Sequence, residues 1–215
     1  FKGSCKVGSA EPSDFAGTQA ECEALGGGSG IYDTNLIERS RGLIYFDLDH
    51  LTGSISEFTS ITNSALKINL VLKDVQGTQV APSNFTLELW PLDQSWDEGI
   101  GDNISSFSDI HATNWLSRSL GTLWSTEGGW NKDLTWTTNE GASKTYIARQ
   151  TFSTGLEDLE LDITDWVQAL WNSGNSSVGN NYGWILKYTA TEELNISSYF
   201  VKRYASRHAR NPFIR

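Results

Sequence analysis

The sequence predicts an all-β protein: an antiparallel, jelly-roll-like β-sandwich with one short helix, preceded by a small disulfide-bearing module. Residues 64–72 and 85–90 alternate apolar and polar side chains with the period of two that a half-buried strand requires. Turn-forming residues at 73–78 separate them by a length that suits antiparallel neighbours. The last quarter of the chain adds a strand, a short amphipathic segment and two more strands, which is typical of stacked antiparallel sheets.

The module in front of the sandwich is predicted from composition. The first thirty residues contain both cysteines and are rich in Gly, Ser, Ala and Glu. Thr18, with a glutamate three residues later and Gly26 at the end, predicts one short capped helix. The glycine-rich stretch 26–30 predicts a flexible tether. We therefore divide the chain into a cysteine-loop module at residues 1–30 and a β-sandwich at residues 31–215.

The two cysteines, Cys5 and Cys22, are the candidate disulfide. A bridge would close a short loop in a segment too small for a core of its own and would stabilise it by roughly 3 kcal/mol. Two free thiols, or half of a metal site, are the alternatives. A disulfide predicts an oxidising environment outside the cytosol.

The sandwich is predicted strand by strand. In the strand at 64–72 the apolar residues on one face are Leu66, Ile68, Leu70 and Leu72. In the strand at 85–90 we expect Thr86 and Glu88 to point outward. Helical spacing of apolar residues over 164–171 predicts a short helix across an open end of the sandwich. Further strands are predicted at residues 145–152, 159–163, 182–187 and 198–207.

Composition limits the classes of partner. A formal net charge of -10 and an isoelectric point near 4.7 argue against nucleic acid, because that binding depends on clustered Lys and Arg. No apolar run approaches the roughly 20 residues of a membrane helix, so we expect no membrane partner. A hydrophobic fraction of 38% with nine Trp residues predicts a folded core.

Tryptophans in the long polar segment 93–141 are the candidate carbohydrate-binding residues: Trp115, Trp124, Trp130 and Trp136. An exposed indole offers a flat apolar face to the C–H side of a sugar ring. Core packing is the alternative for each of them, because Trp is strongly buried on average. The tryptophans in or beside the predicted strands and helix are expected to be structural: Trp90, Trp166, Trp171 and Trp184.

Oxygen-rich loops suggest a structural calcium ion as the one candidate cofactor, with Asp97, Glu98 and Asp102 as ligands. A solvated acidic loop is the alternative, since the spacing lacks the regular pattern of an EF-hand. The three histidines, His50, His111 and His208, are too far apart in sequence for a zinc site or a Ser-His triad. We therefore predict no catalytic residues and no enzymatic activity.

Positive charge is concentrated near the end of this acidic chain, at Lys202, Arg203, Arg207, Arg210 and Arg215. Such an asymmetry predicts pairing with an acidic face of a neighbouring subunit. The alternative is that each of these side chains points to solvent.

Several short segments in a particular order resemble the DNRLRE-type (disaggregatase-related) β-sandwich over about residues 31–215. They are the strands at 65–72, 85–90 and 200–207, the loop at 95–99, the turn at 162–167 and the segment 182–184. More narrowly, residues 156–164 and 199–208 are similar to segments of structural proteins of tailed-bacteriophage virions.

The resemblance implies a non-enzymatic structural component at a phage virion surface, such as a decoration, neck or tail fibre piece. Its expected partners are other virion proteins or copies of itself, and host surface polysaccharide is a further expected ligand. Because the same sandwich occurs in secreted proteins, the alternative is a carbohydrate-binding module of a secreted bacterial polysaccharide-degrading protein.

Overall fold

A computed structural model gives the fold of the chain. It describes residues 3–7, 13–15, 19–28, 30–33, 39–48, 67–75, 82–99, 112–172, 180–195 and 200–205. The secondary structure is mostly antiparallel β-sheet with a few short helices, as the sequence predicts. None of the helices in these ranges has the length and apolar character needed to cross a bilayer.

The N-terminal module is a three-stranded antiparallel sheet with one helix. Its elements are β1 (Gly3–Val7), β2 (Ser13–Phe15), α1 (Gln19–Gly28) and β3 (Gly30–Asp33), with strand order β2-β1-β3. A disulfide between Cys5 and Cys22 joins β1 to α1, and both residues are buried. The predicted helix and the predicted disulfide are confirmed.

The glycine-rich stretch is not the tether that we expected. Residues 26–28 end α1, and Gly30 begins β3, which pairs with β1 through Val7. A Cβ atom at Gly30 would lie 1.8 Å from the carbonyl oxygen of Cys22, so only glycine allows strand and helix to approach this closely. Strand β3 continues this sheet to Asp33, and the division of the chain at residue 30 stays a prediction.

Two antiparallel layers form a β-sandwich-like main body. The larger layer has strand order β11-β6-β13-β4, with β4 at Gly42–Ile44, β6 at Phe85–Pro91, β11 at Ala148–Phe152 and β13 at Trp184–Tyr188. The smaller layer pairs β5 (Asn69–Leu72) with β12 (Leu159–Asp162). A single antiparallel bridge between Asp74 and Tyr204 adds part of the last predicted strand to it. Jelly-roll connectivity stays a prediction.

One predicted pairing is wrong. The strands β5 and β6 were expected to be hydrogen-bonded neighbours, yet β5 pairs with β12 and β6 pairs with β11 and β13. Both strands bury one face in the same core from opposite sides. The alternation of side chains is therefore satisfied whether the strands lie side by side or face each other across the core.

The side chain of Gln150 on β11 joins the two layers. Its Nε2 donates to the carbonyl oxygen of Asp158 at 2.8 Å, and its Oε1 accepts from the backbone N–H of Glu160 at 2.7 Å. One amide thus makes the two hydrogen bonds that a neighbouring backbone would make, at the corner where the chain passes from β11 to β12.

The main core lies between the layers. The fully buried large side chains that line it include Phe85, Phe152, Trp136, Trp166, Trp184, Leu89, Leu159 and Leu161. Phe85 and Phe152 stack at 4.9 Å between ring centroids. Burying one such side chain contributes about 1.5–3 kcal/mol. The sandwich is therefore held mainly by residues that the alternating pattern identifies.

The predicted short helix closes one end of this core. Helix α2 (Thr164–Asn172) buries Trp166, Val167 and Ala169, and the ring of Trp166 meets that of Trp136 edge to face at 5.1 Å. The hydroxyl oxygen of Thr164 accepts from the backbone N–H of Ile68, just before β5. The first residue of the helix is thereby hydrogen-bonded to the smaller layer.

A third layer covers the outer face of the larger sheet. This layer, which we call the cover, comes from residues 112–134 and contains β7 (Ser117–Ser119), β8 (Thr122–Leu123) and a 3-10 turn (Glu127–Gly129). The paired strands β9 (Trp136–Thr137) and β10 (Ser143–Lys144) follow it, and Trp136 packs in the main core on the other side of the larger sheet. Trp90, Leu92, Trp124 and Ile185 form a second apolar cluster beneath the cover. Strand β6 is consequently buried on both faces, and Glu88, expected to point to solvent, is 9% exposed.

Gly183 lies where the backbone approaches strand β4 closely, and Gly141 provides a comparison at an open position. Gly183 has φ of 88°, and a Cβ there would lie 2.4 Å from the carbonyl oxygen of Ile44. Gly141 has φ of 85° with nothing within 4 Å of such an atom. We expect Gly141→Ala to cost about 1 kcal/mol through its backbone conformation alone. Gly183→Ala should cost about 1–3 kcal/mol more because the strand must shift. Urea unfolding of both variants measures the difference, and equal losses would contradict the close approach.

Candidate functional site

Two charged residues lie between the larger sheet and its cover. Glu88 on β6 and Lys187 on β13 are directly opposite each other across the strand pair. The ammonium of Lys187 is fully buried and lies 4.0 Å from Glu88 Oε2. The indole N–H of Trp90 donates to the same carboxylate oxygen at 3.0 Å. The buried carboxylate of Glu88 is therefore paired with a cation and hydrogen-bonded as well.

A second ion pair completes what we call the ion cluster, formed by Arg41, Glu88, Lys187 and Glu193. Arg41 binds Glu193 through both carboxylate oxygens, at 2.9 Å from Nε and 2.7 Å from Nη2. Glu193 Oε2 is also 3.8 Å from the ammonium of Lys187. Such bidentate pairs are among the stronger charge-assisted contacts. They tie β4, where Arg41 lies just before the first residue, to α3 (Ala190–Glu193).

Tryptophans of the cover lie against both cations. The guanidinium of Arg41 is 4.5 Å from the ring centroid of Trp115, and the ammonium of Lys187 is 4.0 Å from that of Trp130. A cation–π contact contributes about 2 kcal/mol when it is desolvated. The cover is thus held by charge as well as by apolar contact.

A glycine lets the cover approach Arg41. Gly128 has φ of 75°, and its backbone N–H donates to the carbonyl oxygen of Trp115 at 2.7 Å. Its own carbonyl oxygen accepts from Arg41 Nη1 at 2.9 Å. A Cβ atom at this position would lie 2.5 Å from that nitrogen. The 3-10 turn can therefore contact the ion cluster only with glycine here.

Burial dominates the electrostatics of Lys187. Removal from water lowers the pKa of Lys187, while Glu193 and Glu88 act to raise it and Arg41 adds to the lowering. A primary amine of this kind could serve as a nucleophile or base if a substrate reached it. Trp130 lies over the ammonium on the side of the cover, whereas Arg41 and Lys187 also line the cavity of about 400 Å³ described below.

The four tryptophans predicted to bind sugar do not share one exposed surface. Trp136 is 2% exposed and belongs to the main core, on the opposite side of the larger sheet from the other three. Trp124 is 7% exposed, and its indole N–H donates to the carbonyl oxygen of Asn114. Trp115 and Trp130 are partly buried and contact the ion cluster. Core and cover packing accounts for the position of all four.

The ion cluster was not predicted from the sequence. A signal was present: Lys187 lies within the otherwise apolar run 184–188, and Glu88 has Trp90 on the same strand face. A strand whose supposedly outward face also carries large apolar residues is typical of a sheet covered on both sides.

An open pocket lies where the cover ends. We call it the aromatic pocket; its volume is about 260 Å³, and its lining residues are Tyr45, Ser95, Trp96, Glu98, Asn181 and Tyr182. Trp96 and Tyr182 also pack against the second apolar cluster. Two of the aromatic rings that line the pocket are therefore packed against the apolar cluster that lies beneath the cover.

A larger cavity, of about 400 Å³, lies beyond the end of β4. Its lining includes Arg41, Lys187, Tyr188, Phe200 and Lys202. Among the described residues, neither this cavity nor the aromatic pocket is lined by two carboxyl side chains. Paired carboxyl groups facing a substrate are what acid–base hydrolysis of a glycoside requires.

The calcium prediction concerns Asp97, Glu98 and Asp102. Asp97 Oδ1 accepts from the backbone N–H of Gly99 at 2.8 Å, and Asp97 and Glu98 are exposed. Asp102 lies outside the described residues. Within the described part of the chain, no group of three or more His, Cys, Asp or Glu side chains could hold a metal ion. The calcium site stays a prediction.

Lys202 does not present its charge to a neighbouring subunit, as the assembly hypothesis expected. Its buried ammonium binds Asp74 Oδ1 and donates to the carbonyl oxygens of Gly155 and Glu157, at 3.0 and 2.7 Å. It thereby ties the turn after β11 to the smaller layer. Arg203 is exposed, and the remaining basic residues, Arg207, Arg210 and Arg215, lie outside the described residues.

Comparison with protein-family models, with curated proteins and with solved structures found no match for this chain. The resemblance to the DNRLRE-type β-sandwich therefore stays a prediction.

Replacing Lys187 with methionine tests the ion cluster. The change removes the cation and leaves Glu88 buried beside an apolar chain, so we expect a loss of about 3 kcal/mol in the free energy of unfolding. The same change at Lys73, whose ion pair with Asp158 is exposed, should leave the urea midpoint almost unchanged. Adding Glu88→Gln to Lys187→Met should recover part of the loss. Equal losses for Lys187→Met and Lys73→Met in urea unfolding would refute the cluster.

A substitution at Glu157 tests the turn after β11, which Lys202 binds through the carbonyl oxygens of Gly155 and Glu157. The Oε1 atom of Glu157 accepts from the backbone N–H groups of Thr154 and Ser153 and from the Ser153 hydroxyl, and these hydrogen bonds keep the pKa of Glu157 far below its usual 4.5. Because the folded state favours the carboxylate, its stabilising effect is fully present above pH 4.5 and is lost progressively as the pH falls from 4.5 towards the much lower pKa of the folded state. Urea midpoints between pH 6 and 3 should therefore fall less steeply in Glu157→Gln than in the wild type. Parallel profiles would contradict this account.

Proposed function

We propose that this chain is a non-enzymatic structural domain exposed at the surface of a phage virion, as a decoration, neck or tail fibre piece. Its partners in this proposal are other virion proteins or copies of itself. The observation that carries the non-enzymatic part is the cover: the buried amine of Lys187 and the carboxylate of Glu88 lie beneath it and are paired with each other.

Access of a substrate to the charged groups decides whether the ion cluster could be catalytic. A general acid, base or nucleophile must reach the reacting group of a substrate within hydrogen-bonding distance. In the ion cluster each charged group already has an opposite charge within 4.0 Å. The cluster therefore serves to join strands and cover, as a mechanical part of a rigid domain would require.

The N-terminal disulfide supports a place outside the cytosol. Disulfides form and persist in oxidising surroundings and are rare in the cytosol. The Cys5–Cys22 bridge joins the helix to the central strand of a module whose described residues form three short strands. A surface part of a released particle would meet such conditions, and the virion assignment itself rests on the sequence resemblance.

A second candidate function is a carbohydrate-binding module of a secreted bacterial polysaccharide-degrading protein. The aromatic pocket favours it, because aromatic faces next to a few polar groups are the usual recognition surface for a sugar ring. Glycan binding is compatible with both candidates, since a virion part can bind host surface polysaccharide.

Purified particles of the phage that carries the gene test the virion proposal. We expect peptides of this chain in gradient-purified particles, in a fixed ratio to the major capsid protein, and antibody labelling at symmetric positions on intact particles. Recovery of the chain only as part of a free, secreted polysaccharide-degrading protein would overturn the virion role and favour the module.

A further inference from the structure

We propose that the aromatic pocket binds one uncharged pyranose ring, the end residue of a surface polysaccharide. The inference rests on the carbohydrate-binding part of the proposed function and assigns it a place that none of the four tryptophans predicted from sequence occupies. Three aromatic side chains from distant parts of the chain, Tyr45, Trp96 and Tyr182, meet in the pocket lining.

Hydrogen bonds outside the pocket hold two of the rings in position. The indole N–H of Trp96 donates to the carbonyl oxygen of Tyr182 at 3.0 Å. The phenol oxygen of Tyr182 accepts from the side-chain amide of Asn180 at 2.8 Å. Rings held in this way lose little conformational freedom when a ligand stacks on them, which favours weak ligands such as single sugars.

The polar residues of the pocket lining, Asn181 and Ser95, are also held in position by hydrogen bonds. Asn181 donates from its amide to the carbonyl oxygen of Phe46 at 2.9 Å and accepts from the backbone N–H of Gly183. The carbonyl and hydroxyl oxygens of Ser95 both accept from Arg118. Polar groups placed around an aromatic base provide the orientation that sugar hydroxyls need.

The volume and the charge of the aromatic pocket limit the class of ligand that it can bind. A pocket of about 260 Å³ is smaller than the roughly 300–1,000 Å³ of sites for drug-sized ligands, so it suits a single ring. Glu98 is among the lining residues, and the whole chain carries a formal net charge of -10. Uronic and sialic acids would meet like charge there, which disfavours them against neutral hexoses.

The test compares sugar binding by the whole chain and by two matched variants. The probes are methyl glycosides of glucose, galactose and mannose and the corresponding uronic acids, with saturation-transfer NMR and calorimetry as readouts. Tyr45→Ala removes an aromatic side chain that is 53% exposed and lines the pocket. Phe46→Ala removes its neighbour, 49% exposed, whose ring lies against Trp184 instead.

We expect at least one neutral glycoside to bind, with affinity about tenfold weaker in Tyr45→Ala and within about twofold of wild type in Phe46→Ala. Trp96→Phe keeps an aromatic ring but loses the indole N–H, so it should weaken binding while the unfolding midpoint shows that the fold is retained. The uronic acids should bind more weakly than the matching neutral sugars.

The outcomes separate the pocket from the general function. Neutral sugars that bind equally well to wild type, Tyr45→Ala and Trp96→Phe would overturn the pocket and leave carbohydrate binding standing. Failure of the wild-type chain to bind any sugar probe would overturn both, while the particle experiment still tests the structural role. Uronic acids that bind as tightly as neutral sugars would overturn the charge selection.

Discussion

Where both faces of a β-sheet are covered, a charged side chain on the covered face must be buried together with an opposite charge, and the rest of this structure depends on that constraint. Glu88 and Lys187 lie on the outer face of the larger sheet, where the cover removes them from water. Desolvating one charge without the other would cost several kcal/mol, so each requires the opposite charge beside it. Arg41 and Glu193 form a second ion pair at the edge of the sheet. Trp115 packs on the guanidinium of Arg41, and Trp130 packs on the ammonium of Lys187.

The packing of the cover on the sheet also affects the aromatic pocket. The tryptophan-rich cover is fixed where it lies over the ion cluster, and the aromatic pocket opens at its margin. Trp96 and Tyr182 belong both to the apolar cluster beneath the cover and to the pocket lining. A ligand there would meet rings already held by packing, with little reorganisation on binding. The buried ion cluster and the open aromatic pocket therefore both depend on the packing beneath the cover.

The elements that sequence predicted well are those whose pattern is local. Helix α2 and strands β12 and β13 carry dense apolar periodicity, and the structure contains all three. Alternation identifies which face of a strand is buried, but it does not identify the neighbouring strand, so the pairing of β5 with β6 was wrong. It also does not reveal that residues 112–134 return to cover the second face. The aromatic pocket combines positions 45, 96 and 182, which no local pattern connects.

The amide of Gln150 gives the sandwich a chemical weak point. Deamidation would convert it to a glutamate, whose added oxygen cannot donate to the carbonyl oxygen of Asp158 and would repel it. The backbone N–H of Glu160 would keep its acceptor, so only half of the joint would fail. Such a change would therefore weaken the contact between the two layers at this one corner, while the packing of both apolar clusters would stay as it is.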